Sequence, residues 1–216
     1  MNRRDFSLQL AGAGAGIGLA AAGAARAQGV PVEGQQFVRL QTAAQVSLPT
    51  AKKIEVIEFF WYGCPHCFSF EPIVKAWSKT LPADVYFHQM PFGFIGPVEH
   101  QKLFYALEEL GQREALQNKL FNAIHVQRAR LNTEAEITAF VAANGVDGAK
   151  FAEAFKGFAV NTKVSRGKKL SGDYKIDGVP ALGIQGRYYT SATLAGDHDR
   201  AIKVADYLIQ RTRSGA

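Results

Sequence analysis

The sequence predicts an α/β protein whose strands lie toward the two ends of the chain, with a long helical block between them. Three observations carry this. "KIEVIEFFWY" (Lys53 to Tyr62) is a near-continuous apolar run rich in β-branched and aromatic residues, the pattern of a central buried strand. Apolar residues then recur at helical spacing from Leu103 to Phe158. "VPALGIQ" and "RYYTS", separated by Gly186, read as a tight hairpin near the end.

The first 27 residues are set aside as an export leader. Arg3 and Arg4 form a basic start, Leu8 through Ala25 carry no charge, and Ala25-Arg26-Ala27 fits a small-residue cleavage site, so a mature chain would begin near Gln28. "RRDFSL" resembles a twin-arginine signal, and an ordinary secretory signal fits the same residues. The stretch approaches the length of a membrane span, but Ala and Gly supply little transfer energy. Of the 216 residues 47% are hydrophobic, enough for a packed core without disulfide staples. The net charge of +6 includes a leader of net +2, leaving a modest excess of about +4. Its densest group, Lys163, Arg166, Lys168 and Lys169, reads as a solvated helix face, and no nucleic-acid motif accompanies it.

The elements follow in order. "QQFVRL" (Gln35 to Leu40) is a short strand candidate, and the Lys53–Tyr62 run is the strongest strand. Gly63 breaks it. A helix begins at Cys64 with Pro65 at its first position, where a missing N–H costs nothing. Phe68, Ile73, Val74 and Trp77 give that helix its apolar content, and Pro72 inside it predicts a kink. "DVYFHQM" (Asp84 to Met90) is the next strand. Leu103, Phe104, Leu107 and Leu110 mark a helix ended by Gly111; Leu116, Leu120, Phe121 and Ile124 mark a second. Thr133 and Glu136 form a capping box for a third, ending at Gly145, and Phe151, Phe155 and Phe158 open a fourth. After the hairpin, Asp197 caps a last helix bearing Ile202, Ala205, Leu208 and Ile209.

Cys64 and Cys67 are the only cysteines, two residues apart in "FFWYGCPHCFSF". Closing so small a loop removes little unfolded-state entropy, so a structural staple explains them poorly. Zinc wants four ligands, and His88, His100, His125 and His198 are scattered. Haem attachment wants His where Phe68 stands. Redox exchange has a physical mechanism: a thiol at a helix N-terminus meets unsatisfied N–H groups and the positive end of the macrodipole. His66, between the cysteines, is the expected further source of thiolate stabilisation. A stabilised thiolate favours the reduced form and makes the disulfide an oxidant. Cys67, one turn in, would be the resolving thiol. Glu58 is a lone acid in a strand that reads as buried: it points to an edge or pairs with a lysine, or it is a proton carrier for Cys67.

"EFFWYGCPHC", the helix after it, "GVPALGI" and the late hairpin plus helix together resemble the thioredoxin superfamily. The Cys-Pro-His-Cys sequence, the helical insert and the export signal resemble the periplasmic DsbA-type thiol:disulfide oxidoreductases. The resemblance implies a thioredoxin fold with an inserted helical domain: a first thioredoxin part at 28–96, the insert at 97–166 and a second part at 167–216. It implies Cys64 as the exposed nucleophile and Cys67 as its buried partner in a redox-active disulfide, Pro65 and His66 as the tuning dipeptide, and Glu58 as a buried acid. Pro180, after Val179, falls at the family's cis-proline, in a loop that binds substrate. The implied function is a monomeric periplasmic dithiol oxidase that needs no cofactor or metal, acts on reduced exported proteins and is re-oxidised by a membrane quinone-linked partner of the DsbB type. An isomerase or reductase of the same superfamily, and a non-catalytic chaperone, are the alternatives. Only about 25 residues separate the cleavage site from the strong strand, too few for the dimerisation domain such isomerases carry.

Overall fold

A computed structural model describes residues 29–49 and 54–215. The leader reading lies outside the described residues. The elements described below belong to one compact unit that begins at Pro31.

Five strands form one sheet in the order β1-β5-β4-β2-β3. β2 (Ile54–Phe60) is its buried centre, with every residue inaccessible to solvent or nearly so. It pairs in parallel with β3 (Val85–Pro91), Ile54 opposite Val85 and Glu58 opposite Gln89. On its other side it pairs antiparallel with β4 (Ala181–Ile184), which continues antiparallel to β5 (Tyr188–Ser191). β1 (Val38–Arg39) closes the edge against β5. The β4–β5 link turns through Gln185 and Gly186 at φ +51° and +62°, closed by the Arg187 N–H on the Ile184 carbonyl at 2.9 Å. Two successive positive φ values make the primed turn whose twist matches the strands it joins.

Strand alternation sorts the core into two layers. Ile54 and Val56 pack with Leu182, Ile184 and Tyr188 under α1 (Pro65–Ser78) and α8 (His198–Arg213), through Phe70, Val74, Val204 and Leu208. Ile57 and Phe59 pack from the opposite face in the larger layer, which Phe60, on the α1 face by parity, joins at the strand's end through Phe104 and Phe121. This layer holds the helical block: α2 (Val98–Glu109), α3 (Arg113–His125), α4 (Glu134–Ala143), α5 (Gly148–Lys156) and α6 (Phe158–Asp173). A four-residue helix, α7 (Ala192–Ala195), links the hairpin to α8. Each fully buried Phe or Leu contributes roughly 1.5–3 kcal/mol, so both layers are heavily invested.

Several expectations meet their counterpart. The Thr133–Glu136 capping box is formed in both directions, and Asp197 accepts from the Arg200 N–H at the start of α8. α1 runs through Pro72 to Ser78 without interruption. The fourth aromatic stripe does not. Phe151 and Phe155 are buried, but Gly157 adopts an extended backbone and ends α5, so Phe158 starts α6 in a new phase and is 88% exposed. Position 166, where the inserted block was expected to end, lies inside α6, which runs on to Asp173.

Candidate active site

β2 carries the chain to Phe60, and three residues then deliver Cys64 to the N-cap of α1. Its sulfur stands where a serine or aspartate oxygen usually does, accepting from the Cys67 N–H at 3.4 Å, with Pro65 at N1. Cys64 retains 8% of its surface, between the exposed Pro65 and His66 and the partly exposed Gly63; Cys67, facing inward one turn later, retains none. The two are not bonded to each other. The Val179–Pro180 bond is cis, and the Cys64 thiol donates to the Val179 carbonyl at 3.4 Å. A groove of about 450 Å³ opens beside them, lined by His66, Asp177, Val179, Pro180, Ser191 and His198 among others.

The two sulfurs occupy opposite environments. The Cys64 pKa is lowered from 9.0 to about 6, chiefly by a hydrogen bond from the Cys67 thiol. Burial opposes this, and the Cys67 and His66 backbone N–H groups and the His66 charge add to it, in that order. Of the two His66 contributions the amide comes before the ring charge, and both come after the Cys67 thiol. The Cys67 pKa is driven up, first by burial and then by its own donation to Cys64.

Glu58 is 1% exposed and lies by strand parity on the α1 side of the sheet. Burial, then repulsion from Glu71, raise its pKa to about 8, against a hydrogen bond from Gln89 and the charge of Arg113. It is also close enough for its charge to push Cys67 up. The edge reading of Glu58 is thereby replaced by a buried network. The Gln89 amide donates to Glu58 at 2.8 Å and to Glu71 at 2.9 Å. Arg113 donates to the Gln89 carbonyl oxygen at 2.8 Å, and Gln117 reaches Glu71 at 3.3 Å and accepts from the Tyr62 hydroxyl at 2.8 Å. Sequence reasoning missed these partners. Glu71 had a signal, since it lies one turn beyond Cys67 on the same helix face. Gln89 had none, because only the β2–β3 register places it beside Glu58.

A cysteine pair at a helix N-terminus, beside a cis-proline on a sheet of this strand order, defines a redox protein of the thioredoxin fold. The chain belongs to the family described as the DSBA-like thioredoxin domain, whose model matches residues 55–207. A thiol:disulfide interchange protein DsbA of Pseudomonas aeruginosa is 41% identical over 185 residues, covering 85% of this chain and 86% of that protein. A protein of the same name from Bordetella parapertussis is 41% identical over 215 residues, covering 99% and 100%. The crystal structure of the Pseudomonas aeruginosa DsbA superposes with a TM-score of 0.81 at 38% identity, covering 86% of this chain and 96% of that one. That of the Xylella fastidiosa oxidoreductase DsbA does so at 0.78 and 28%, covering 86% and 99%.

Proposed function

We propose that the protein is a dithiol oxidase that introduces disulfides into exported proteins by exchange with a Cys64–Cys67 disulfide. The observation that carries this reading is the opposed perturbation of the two thiols, Cys64 lowered to about 6 and Cys67 raised. The family membership and the naming of the relatives as thiol:disulfide interchange proteins support it.

A client thiolate attacks the Cys64 sulfur, and the Cys64–Cys67 bond breaks. Cys67 leaves with the electron pair and takes up a proton, which its raised pKa demands. Glu58, protonated at neutral pH because its pKa stands at about 8, is the donor. The client's second thiolate then attacks the client sulfur of the mixed disulfide, expelling Cys64. A low leaving-group pKa speeds this step, and the Cys64 thiolate leaves without a proton. The client loses two electrons and the cysteine pair gains them. The partly exposed Val179 backbone beside Cys64 is placed to pair with an extended client segment, with Pro180 and the adjoining groove receiving its side chains.

The export-signal reading and the family membership support the periplasm as the compartment of this chemistry, a monomer as the working form and a DsbB-type membrane protein as the re-oxidant. Among the described residues no helix is long and apolar enough to cross a membrane. The test is the equilibrium with a glutathione buffer. An oxidising pair is expected, and a potential as reducing as that of a cytosolic thioredoxin would overturn the assignment.

A further inference from the structure

The three residues joining β2 to Cys64 are tied to the helical block rather than to the sheet. The Trp61 indole N–H donates to His100 Nδ1 in α2 at 3.0 Å, and His100 Nε2 meets the Leu131 carbonyl at 3.0 Å. An indole can only donate and a carbonyl can only accept. The two partners therefore fix the imidazole as neutral, with its proton on Nε2. Burial at 2% exposure, which pulls the ring's pKa down, agrees with that state.

The indole has little freedom around this bond. A Cβ at Gly63 would lie 2.3 Å from Trp61 Cζ2, and one at Gly96 only 2.1 Å from Nε1, so the ring is clasped between two glycines. Trp61 in turn touches both cysteines through its backbone. Its carbonyl accepts from the Cys64 N–H at 3.0 Å, and its own N–H acts on the Cys67 sulfur. Neighbouring anchors hold the rest of the link. His125, at the end of α3, donates from Nε2 to the Tyr62 carbonyl at 2.7 Å while its ring stacks on Phe68 at 4.9 Å.

We infer that His100 is a positioning residue for the redox centre: through the Trp61 indole it holds the link that presents Cys64 and Cys67 to each other, so the helical block helps to set how oxidising the pair is. The inference rests on the oxidase reading above. Freeing the indole lets the link drift and weakens every contact that favours the Cys64 thiolate. The disulfide then becomes the more favoured state.

The test is a double-mutant cycle read in two ways, the glutathione equilibrium and the pH titration of the Cys64 thiolate by ultraviolet absorbance. Trp61→Phe keeps the aromatic body and loses the donor; His100→Phe loses both nitrogens. Each is expected to make the pair about fivefold less oxidising, the effect of one hydrogen bond, and to raise the Cys64 midpoint. The double variant should be no worse than either single one. His100→Asn, whose side-chain oxygen takes the place of Nδ1, should stay near the wild type. Lower thermal stability with an unchanged potential and midpoint would reduce His100 to a packing residue and overturn the inference, as would additive single effects. If His100→Phe does not fold, Trp61→Phe and His100→Asn carry the same decision between them. A wild type that is itself reducing would instead overturn the oxidase reading, and the cycle would still show whether the two residues act as a unit.

Discussion

Replacing Cys67 by alanine and by serine separates the causes that make Cys64 acidic. The largest is the hydrogen bond from the Cys67 thiol. A hydrogen bond to a charged group is worth about 1.5–3 kcal/mol, and one pKa unit is about 1.4 kcal/mol. Removing the donor in Cys67→Ala should therefore raise the Cys64 midpoint by roughly one to two units, from about 6 into the range of about 7–8. Cys67→Ser keeps a hydroxyl that can donate to the same sulfur, so its midpoint should stay within about half a unit of the wild type. Both variants leave Cys64 as the only thiol, so thiolate absorbance against pH reports it without ambiguity. His66→Ala, which removes a charge but keeps the backbone amide, should move the midpoint less than Cys67→Ala. A Cys67→Ala midpoint near 6, or a larger shift from His66→Ala, would refute the ranking and return the tuning to the dipeptide. Stability checks the sign. The folded thiol ionises below the unfolded value of 9.0, so ionisation stabilises the fold in full above about pH 9, and that contribution is lost as pH falls through about 6. Solvent at the open side of Cys64 screens roughly half of the shift, leaving about 2 kcal/mol in Cys67→Ser.

Glu58→Gln should behave oppositely. The Glu58 pKa is raised from 4.5 to about 8, so its contribution is fully present below about pH 4.5 and lost as pH rises through about 8. The variant should be more stable than the wild type near neutral pH by about 2–3 kcal/mol in urea unfolding, and slower to transfer its disulfide; equal stability at neutral pH would show Glu58 to be ionised in the fold. The reduction potential should fall by about 30 mV per pH unit above the Cys64 pKa, where reduction takes up one proton, and by about 60 mV below it, where it takes up two; a single slope across pH 6 would contradict the lowered thiol. Gly186→Ala places a Cβ 2.3 Å from the Ala44 carbonyl oxygen at φ +62°. It should cost at least about 1–2 kcal/mol, seen as a lower urea midpoint.

Legibility in the sequence followed the range of the interaction. Cys64 at a helix start could be read from Gly63 and Pro65, which act on their immediate neighbours. The hairpin was readable from Gly186, although its turn also needs Gln185 at positive φ, which no local rule requires of glutamine. Phe158 was misread because a spacing of three or four continues on paper through Gly157, where the helix does not. α6 itself is nearly invisible to apolar periodicity. Its buried residues are Val160, Gly167 and Ser171, and it packs by being small: a Cβ at Gly167 would meet the Tyr105 hydroxyl at 2.7 Å. Glu58 stood out as a polar residue in an apolar strand, but its partners come from β3, α1 and, through Gln89, from α3. Only pairing and packing join them. His100 and His125 read as scattered because one anchors a residue 39 positions away and the other one 63 away.

In the proposed mechanism the direction of electron flow rests less on the two residues between the cysteines than on the difference between the cysteines themselves. One turn of helix separates a sulfur at the positive end of α1 from a sulfur in the apolar core, and the buried one serves the exposed one as a donor. Each environment strengthens the other: a Cys67 that cannot ionise keeps its proton for Cys64, and an ionised Cys64 makes a second negative charge beside it more costly. The reduced pair therefore settles in one protonation state, thiolate outside and thiol inside. That state is favoured by the fold and unavailable to the disulfide. A disulfide whose reduction releases this stabilisation accepts electrons readily, and in the proposed mechanism the buried carboxyl of Glu58, whose pKa is raised to about 8, supplies the proton that Cys67 takes up.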